Sequence, residues 1–331
     1  MEFIQIEGTN IRASRIGLGT WAIGGWLWGG AEDNESVKTI HAALAKGINL
    51  IDTAPVYGFG RAEEVVGRAL QEFGKRDQVI IATKAGLEWR KEKIFRNSSS
   101  ERLRQELEDS LRRLRTDYID LYQIHWPDSL VPIEETAKAM DGFLKEGKVR
   151  AIGVSNFSSQ EMMSFRKVAP LHTNQPPYNL FERGIEKEIL PFCRQNKIAV
   201  LAYSSLCRGL LSGKMTEHTR FNADDIRRWD PKFQSPRFNQ YIHATSSLNA
   251  LAKQKWNKNI LGLALRWILD QGNTIALWGA RRPDQLERLQ DAFGWTIDPE
   301  SMKEIDQILK ENIQKPIGPE FLAPPVREGH A

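Results

Sequence analysis

Residues 48–58 read Ile48-Asn49-Leu50-Ile51-Asp52-Thr53-Ala54-Pro55-Val56-Tyr57-Gly58. The apolar run ending at Ile51 has the composition of a buried strand, Asp52 takes its last position, and helical spacing begins near Ala62-Glu63-Glu64. A carboxylate closing a strand, with a tyrosine just beyond it, suits acid/base chemistry at the mouth of a barrel. A capping aspartate and a packed tyrosine account for this stretch equally well, so its neighbours must decide.

The same strand–turn–helix unit recurs in both directions. Upstream lie a hairpin centred on Gly8-Thr9-Asn10, a strand over Arg15–Trp21 and a helix from Asp33 to about Lys46. Downstream, a helix from about Ala62 to Phe73 leads to a strand over Gln78–Lys84. Ser100–Arg115 carries leucines at 103, 107, 111 and 114 in helical register. Further strands are expected at Tyr118–His125, Val149–Val154, His172–Gln175, Ile198–Tyr203 and Thr274–Gly279. Helices separate them, with Pro132–Lys145 and Glu186–Gln195 the clearest. A long Gly- and Arg-rich insertion, Ser204–Pro236, follows the seventh strand, then helices over Asn239–Lys255 and Asn259–Leu269. Pro283–Phe293 is expected to be a helix, and so is Pro299–Lys310, ahead of a proline-punctuated tail at Pro316–Val326. Eight such alternations with short connections predict a (β/α)8 TIM barrel, one domain over residues 1–331; a doubly wound open sheet is the alternative.

Composition excludes several classes. A net charge of +4 from 46 basic and 42 acidic residues is too balanced for a general nucleic-acid binder. No apolar run approaches the roughly 18 residues a membrane span needs. Met1-Glu2-Phe3-Ile4-Gln5 has neither the basic start nor the apolar stretch of a secretory signal, and Cys193 and Cys207 form no C-x-x-C pair. A cytoplasmic protein with reduced thiols is expected. The six histidines (41, 125, 172, 218, 243, 330) form no H-x-H or H-E-x-x-H, so no metal site is expected.

In a TIM barrel the C-terminal strand ends converge on one mouth. Here those ends are Thr20-Trp21, Asp52, Lys84, His125, Ser155-Asn156, Gln175, Tyr203 and Gly279, nearly all polar against apolar strand interiors. Asp52, Tyr57, Lys84 and His125 make a plausible reaction centre. A phenol titrates near 10, and a neighbouring ammonium is expected to lower that value. Asp52 would keep Lys84 charged, Tyr57 would exchange a proton with substrate, and a neutral His125 would direct the substrate oxygen. Singly, each residue has a bland reading as a rim lysine, a core histidine or a cap.

Asp52-Thr-Ala-Pro-Val-Tyr57-Gly, Lys84, Gln123-Ile-His125-Trp-Pro and Gly153-Val-Ser155-Asn156-Phe157 resemble, in order, the signature segments of the aldo-keto reductases. So do Ala202-Tyr203-Ser204, Arg208-Gly209-Leu210-Leu211-Ser212-Gly213-Lys214 and Trp278-Gly279-Ala280-Arg281-Arg282-Pro283-Asp284-Gln285. The Gly318–Pro325 tail is similar to the bacterial branch that includes stress-response and inositol-linked reductases. The resemblance implies NADP(H)-dependent reduction of aldehydes or ketones by a mostly monomeric barrel, with Tyr57 as proton donor aided by Lys84, Asp52 and His125. It places Ser155, Asn156 and Gln175 on the nicotinamide carboxamide and Tyr203 against its ring, bordered by Thr20, Trp21 and Asp52. It assigns the pyrophosphate to the segment Ser204, Ser205, Leu206, Cys207, Arg208 through Lys214, chiefly by its backbone. Gly279, Ala280, Arg281 and Gln285 are assigned to the adenosine end, with Arg281 on the 2′-phosphate. Where many members carry a Glu-Asn pair that contacts adenine, this chain has Arg288-Leu289.

Two other functions use the same residues: a nucleotide-sensing regulatory barrel with little turnover, and a Schiff-base aldolase acting through Lys84. Apparent phosphate-binding motifs fail. Gly142–Val149 lacks the final Ser/Thr of a P-loop and follows a helix, and Gly17-Leu-Gly19 and Gly58-Phe-Gly60 have Ala22 and Glu63 at the third glycine position.

Overall fold

The computed structural model describes residues 1–327. In chain order the strands and helices are β1 (Phe3–Gln5), β2 (Arg12–Ser14), β3 (Ile16–Gly19), α1 (Asp33–Ala45), β4 (Leu50–Asp52), α2 (Arg61–Phe73) and β5 (Ile80–Ala85). There follow β6 (Leu87–Arg90), β7 (Lys93–Arg96), α3 (Ser100–Leu114), β8 (Leu121–Ile124), α4 (Ile133–Lys145), β9 (Ile152–Ser155) and α5 (Ser159–Arg166). The chain completes with β10 (Thr173–Gln175), α6 (Ile189–Gln195), β11 (Ala199–Ala202), α7 (Arg237–Trp256), α8 (Ile260–Leu269), β12 (Thr274–Gly279) and α9 (Pro299–Asn312). Eight of these strands, in the order β10-β11-β12-β3-β4-β5-β8-β9, pair in parallel into a closed barrel. Closure rules out the open-sheet alternative.

The barrel strands are short and buried on both faces, which is why they read as apolar runs and not as alternating ones. Side chains pointing inward (Leu50, Ala82, Leu121, Leu201, Ile275, Leu277) form one cluster with Ile6, Ile11 and Ala13 from the β1–β2 hairpin, which stops the lower end of the barrel. Outward neighbours such as Ile51, Ile81 and Val154 pack beneath the helices. With the bottom plugged, the mouth formed by the C-terminal strand ends is left for chemistry.

Two segments differ from expectation. Pro283–Phe293 is two separate 3-10 turns, Pro283–Leu286 and Leu289–Ala292, and not a helix. It presses so closely on α8 that a side chain at Gly262 would meet the Asp291 backbone at 2.9 Å, which leaves no space for continuous helical turns. Second, β6 and β7 form an antiparallel hairpin directly after β5, turning at Lys91, whose φ is +57°. No helix among the described residues is long and apolar enough to cross a membrane.

Candidate active site

The four centre residues reach one point from four elements. Asp52 ends β4, Lys84 lies near the end of β5, His125 follows β8, and Tyr57 sits in the loop before α2. Lys84 Nζ donates to both oxygens of Asp52 (2.8 and 3.0 Å), to the Thr53 carbonyl (2.9 Å) and to the Tyr57 hydroxyl (3.1 Å). The His125 ring stands edge-on to Tyr57 at 5.8 Å, and Trp21 stacks on Tyr57 at 6.0 Å. Glycine makes this loop possible: Gly58 has φ +66°, and a Cβ there would lie 2.2 Å from the Gly24 carbonyl oxygen. The two loops therefore touch backbone to backbone and hold the Tyr57 ring between them.

The electrostatics correct one expectation. Burial, reinforced by the charge of Asp52, pushes the Tyr57 phenol well above 10. Lys84 does not offset this, because its charge is balanced by a carboxylate at 2.8 Å while the phenolate would stand in a water-poor site. Burial lowers Lys84 itself, and Asp52 opposes that shift. Burial, together with the Lys84 charge, holds His125 well below its ordinary 6.5, so it is a neutral imidazole at pH 7. In the resting site the tyrosine is a protonated donor beside a neutral histidine.

A cavity of about 360 Å³ opens above this group and is lined by Tyr57, His125, Ser155, Asn156, Gln175 and Tyr203. Asn156, at φ +62°, donates to the His125 carbonyl and to Ser155 Oγ (3.0 Å each) and accepts from the Tyr203 hydroxyl at 2.9 Å. Ser155 Oγ donates to the Gln175 carbonyl at 2.7 Å, and Gln175 Nε2 donates to Asp52 Oδ1 at 2.8 Å. Trp21 lines the cavity; Thr20 does not, its buried hydroxyl donating to the Asp52 carbonyl at 2.9 Å.

The remaining candidates divide by where their side chains point. Ser205 donates inward to the Ala202 carbonyl, and Cys207 and Arg208 are buried. The Arg208 guanidinium is engaged by Glu182, Asp230 and Ser204. Ser204 and Cys207 have φ of +56° and +44°, which turns the backbone sharply after Tyr203. Lys214 and Gly279 are exposed, and Ala280 is buried. Gln285 is spent on the backbone, accepting from the N–H groups of Arg281 and Arg282 at 2.9 and 3.1 Å. Arg281 reaches over the loop after β3, donating to the carbonyls of Trp28 (2.6 Å) and Gly30 (3.0 Å). Leu289 is a core residue, 1% exposed, so of the Arg288-Leu289 pair the arginine alone faces solvent.

Sequence reading left most of the outer wall of the cavity unassigned. Ile226 and Trp229 come from the insertion, Ile94 from β7, and Phe321, Leu322 and Pro324 from the tail. The Arg-rich part of the insertion docks on the loop after β3, through Ile226 N–H to the Leu27 carbonyl (2.9 Å) and Arg227 over the Trp28 ring (5.5 Å). The tail is strapped to β7: Arg96 donates from Nε to the Pro324 carbonyl at 2.9 Å, and Arg327 pairs with Asp128 at 2.6 Å. The alternating pattern Leu87-Glu88-Trp89-Arg90 and Lys93-Ile94-Phe95-Arg96 was the signal for the hairpin. Among the described residues no group of three or more His, Cys, Asp or Glu side chains is placed to hold a metal; His330 lies outside them.

A closed eight-stranded parallel barrel with a Tyr–Lys–Asp–His group at its mouth defines a class of oxidoreductase, and the chain belongs to the aldo/keto reductase family, whose sequence model matches residues 15–310. It is 59% identical over 329 residues to the aldo-keto reductase YhdN of Bacillus subtilis, covering 99% of both chains. It is 38% identical over 303 residues to the NADH-specific methylglyoxal reductase of Escherichia coli, covering 86% of this chain and 91% of that one. Among solved structures, the glycerol dehydrogenase AKR11B4 of Gluconobacter oxydans superposes with a TM-score of 0.88 at 54% identity, covering 97% of this chain and 99% of that one. The protein is thus an enzyme that reduces carbonyl groups with a nicotinamide cofactor.

Proposed function

We propose that the protein reduces aldehydes and ketones to alcohols with NADPH, Tyr57 supplying the proton. The observation that carries this reading is the Lys84 ammonium, held by Asp52 and Thr53 and donating to the Tyr57 hydroxyl, on the wall of the cavity that also presents Ser155, Asn156, Gln175 and Tyr203. A lysine whose protons are all engaged presents no free lone pair, which argues against a Schiff-base aldolase.

The residues fit the cofactor at both ends. Amides of Asn156 and Gln175 and the Ser155 hydroxyl stand together where a carboxamide needs donors and an acceptor, and the Tyr203 ring offers a stacking face. Around Arg281, burial and then the nearby charges of Arg282 and Arg227 lower its pKa, so cations are crowded there in a way a phosphate dianion would relieve. Exposed Lys214 adds to this field. These charges support NADPH over NADH. The relative named for NADH specificity makes the preference one that varies within the family.

Bound NADPH supplies the hydride for the carbonyl carbon. The chain does the rest. Neutral His125 hydrogen-bonds the carbonyl oxygen and fixes its direction. Tyr57 donates its phenolic proton as negative charge builds on that oxygen, and Lys84 stabilises the phenolate left behind. Asp52 keeps Lys84 protonated in spite of burial. Reversal of the same steps oxidises alcohols. The tail at Gly318–Pro325 supports placement in the bacterial branch with stress-response and inositol-linked reductases.

The test is NADPH oxidation followed over aldehydes, diketones and sugar-derived carbonyls, with Tyr57→Phe alongside. Wild-type turnover and a loss of about a thousand-fold in kcat for the variant, with NADPH affinity kept, are expected. Near-wild-type turnover by Tyr57→Phe would overturn the role given to Tyr57.

A further inference from the structure

Glu182, Arg208, Asp230 and Lys232 lie together in the interior behind the insertion, none more than 5% exposed. Arg208 donates from Nη2 to Glu182 Oε1 at 2.5 Å and from Nε to Asp230 Oδ2 at 2.6 Å. Lys232 Nζ lies 2.9 Å from the same Glu182 oxygen and 3.6 Å from Asp230. Two cations and two anions balance, yet removing four charges from water costs several kcal/mol each, and apolar residues often serve stability as well or better. Stability is therefore a weak reason for this group.

The bonds that leave the group are more informative. Arg208 Nη1 donates to Ser204 Oγ at 3.0 Å, and Asn179, which donates to Glu182 Oε2 at 2.7 Å, also holds the Ser204 carbonyl at 3.0 Å. Both lead to the left-handed turn directly after Tyr203. On the other side, Lys232 Nζ donates to the Gly318 carbonyl at 2.9 Å, and the Arg208 guanidinium lies 5.5 Å from the Phe321 ring. Both of these lead to the tail, whose Phe321 and Leu322 wall the substrate cavity.

We propose that Glu182, Arg208, Asp230 and Lys232 form a positioning unit that couples the cofactor loop at Ser204–Arg208 to the tail at Gly318–Leu322, so that binding the cofactor sets the wall of the substrate pocket. This rests on the reading that NADPH occupies the loop after Tyr203. Ser204, Cys207 and Arg208 have φ of +56°, +44° and +52°, conformations that non-glycine residues keep only where their surroundings enforce them. A ligand against that turn shifts Arg208; its fork moves both carboxylates; and those carboxylates are the anionic partners of Lys232, which holds Gly318. By linkage the effect runs both ways, and an ordered tail tightens NADPH binding by the same factor.

Hydrogen exchange of the tail, with and without saturating NADPH, tests the coupling. In the wild type NADPH should slow the amides of Gly318–Leu322 about five-fold, and those of Val326 and Arg327, anchored on β7 outside the unit, by less. Lys232→Arg should keep the effect. Lys232→Met should lose it while still binding NADPH, and should raise the carbonyl KM more than it lowers kcat. Absence of tail protection in NADPH-bound wild type, protection as large at Val326–Arg327, or full protection in Lys232→Met overturns the proposal. Failure of the wild type to quench its tryptophan fluorescence with NADPH instead overturns the cofactor reading beneath it.

Discussion

Gln175 Nε2 donates to Asp52 Oδ1 at 2.8 Å, and the two residues end strands that stand diametrically opposite in the barrel, β10 and β4. One carboxylate thus anchors Lys84 with one hand and a candidate carboxamide-binding amide with the other. On the proposed mechanism, cofactor placement and proton supply share a single group. Gln175→Leu should lower kcat about ten-fold, the worth of one hydrogen bond to a charged group, as well as raising the cofactor KM. A rise in cofactor KM with kcat unchanged would show that the bond to Asp52 does nothing for chemistry.

Arg281 is a clamp as well as a candidate phosphate ligand, since it grips the Trp28 and Gly30 carbonyls. Arg281→Ala is expected to raise the KM for both cofactors by loosening the loop after β3. It should raise that for NADPH about ten-fold further, through loss of the 2′-phosphate contact. Steady-state kinetics with the two cofactors measures both parts. Equal increases would leave the clamp and remove the phosphate role.

The acid side of the pH profile belongs to His125. Its folded pKa lies well below 6.5, through burial and then the Lys84 charge, so it stays neutral through the physiological range. kcat/KM should therefore hold level as pH falls through 6.5, with the His125 limb appearing only at more acid pH. The same shift affects stability. In the unfolded chain the histidine takes up its proton near 6.5, so folding loses free energy from this group as pH falls below that value, and nothing above it. An acid limb centred at 6.5 or higher would contradict the geometry.

Glu106, buried on α3 beneath the site, acts with the opposite sign. Burial pushes its carboxyl up to about 7, against the opposing charge of Arg102 at 3.1 Å and the Gly86 N–H it accepts at 2.7 Å. A raised carboxyl contributes stability that is complete below the unfolded value of 4.5 and is lost as pH rises through about 7. Glu106→Gln should escape that loss, gaining about 3 kcal/mol on the wild type between pH 4.5 and 8. Urea unfolding at several pH values reads the difference. A gap between the two proteins that does not change with pH would refute it.

The barrel was legible because its strands are buried on both faces and end in polar residues, so Asp52, Lys84, His125 and Gln175 could be placed at one mouth from spacing alone. The charge tuning of Tyr57 was misread: the Asp52–Lys84 pair was expected, but sequence does not show the burial that, with the Asp52 charge, pushes the phenol up. Arg208 was assigned to the pyrophosphate as part of a segment acting chiefly by its backbone, and nothing in the sequence showed where its side chain goes. Its true partners, Glu182 and Asp230, stand 26 and 22 positions away, with no periodicity to announce them. Pro283–Phe293 has helical composition, yet it sits tightly on α8 as two separate turns. Trp229 joined the cavity through loop packing, which leaves no regular trace in a sequence.

The strap between β7 and the tail bears on how such enzymes diversify. Arg96 holds the tail at Pro324 and Pro325 by side chain and backbone, and a parallel bridge joins it to Val326. This side of the pocket wall is consequently made of two strapped segments that lie more than two hundred residues apart in the chain. Exchanging residues 318–327 for those of a relative would import a wall cut for another hairpin. Swapping 87–96 alone would put the side-chain fastening at Arg96 at risk while leaving the Arg327–Asp128 pair in place. Moving the two segments together, as one cassette, should therefore transfer this side of the pocket more faithfully than moving either alone.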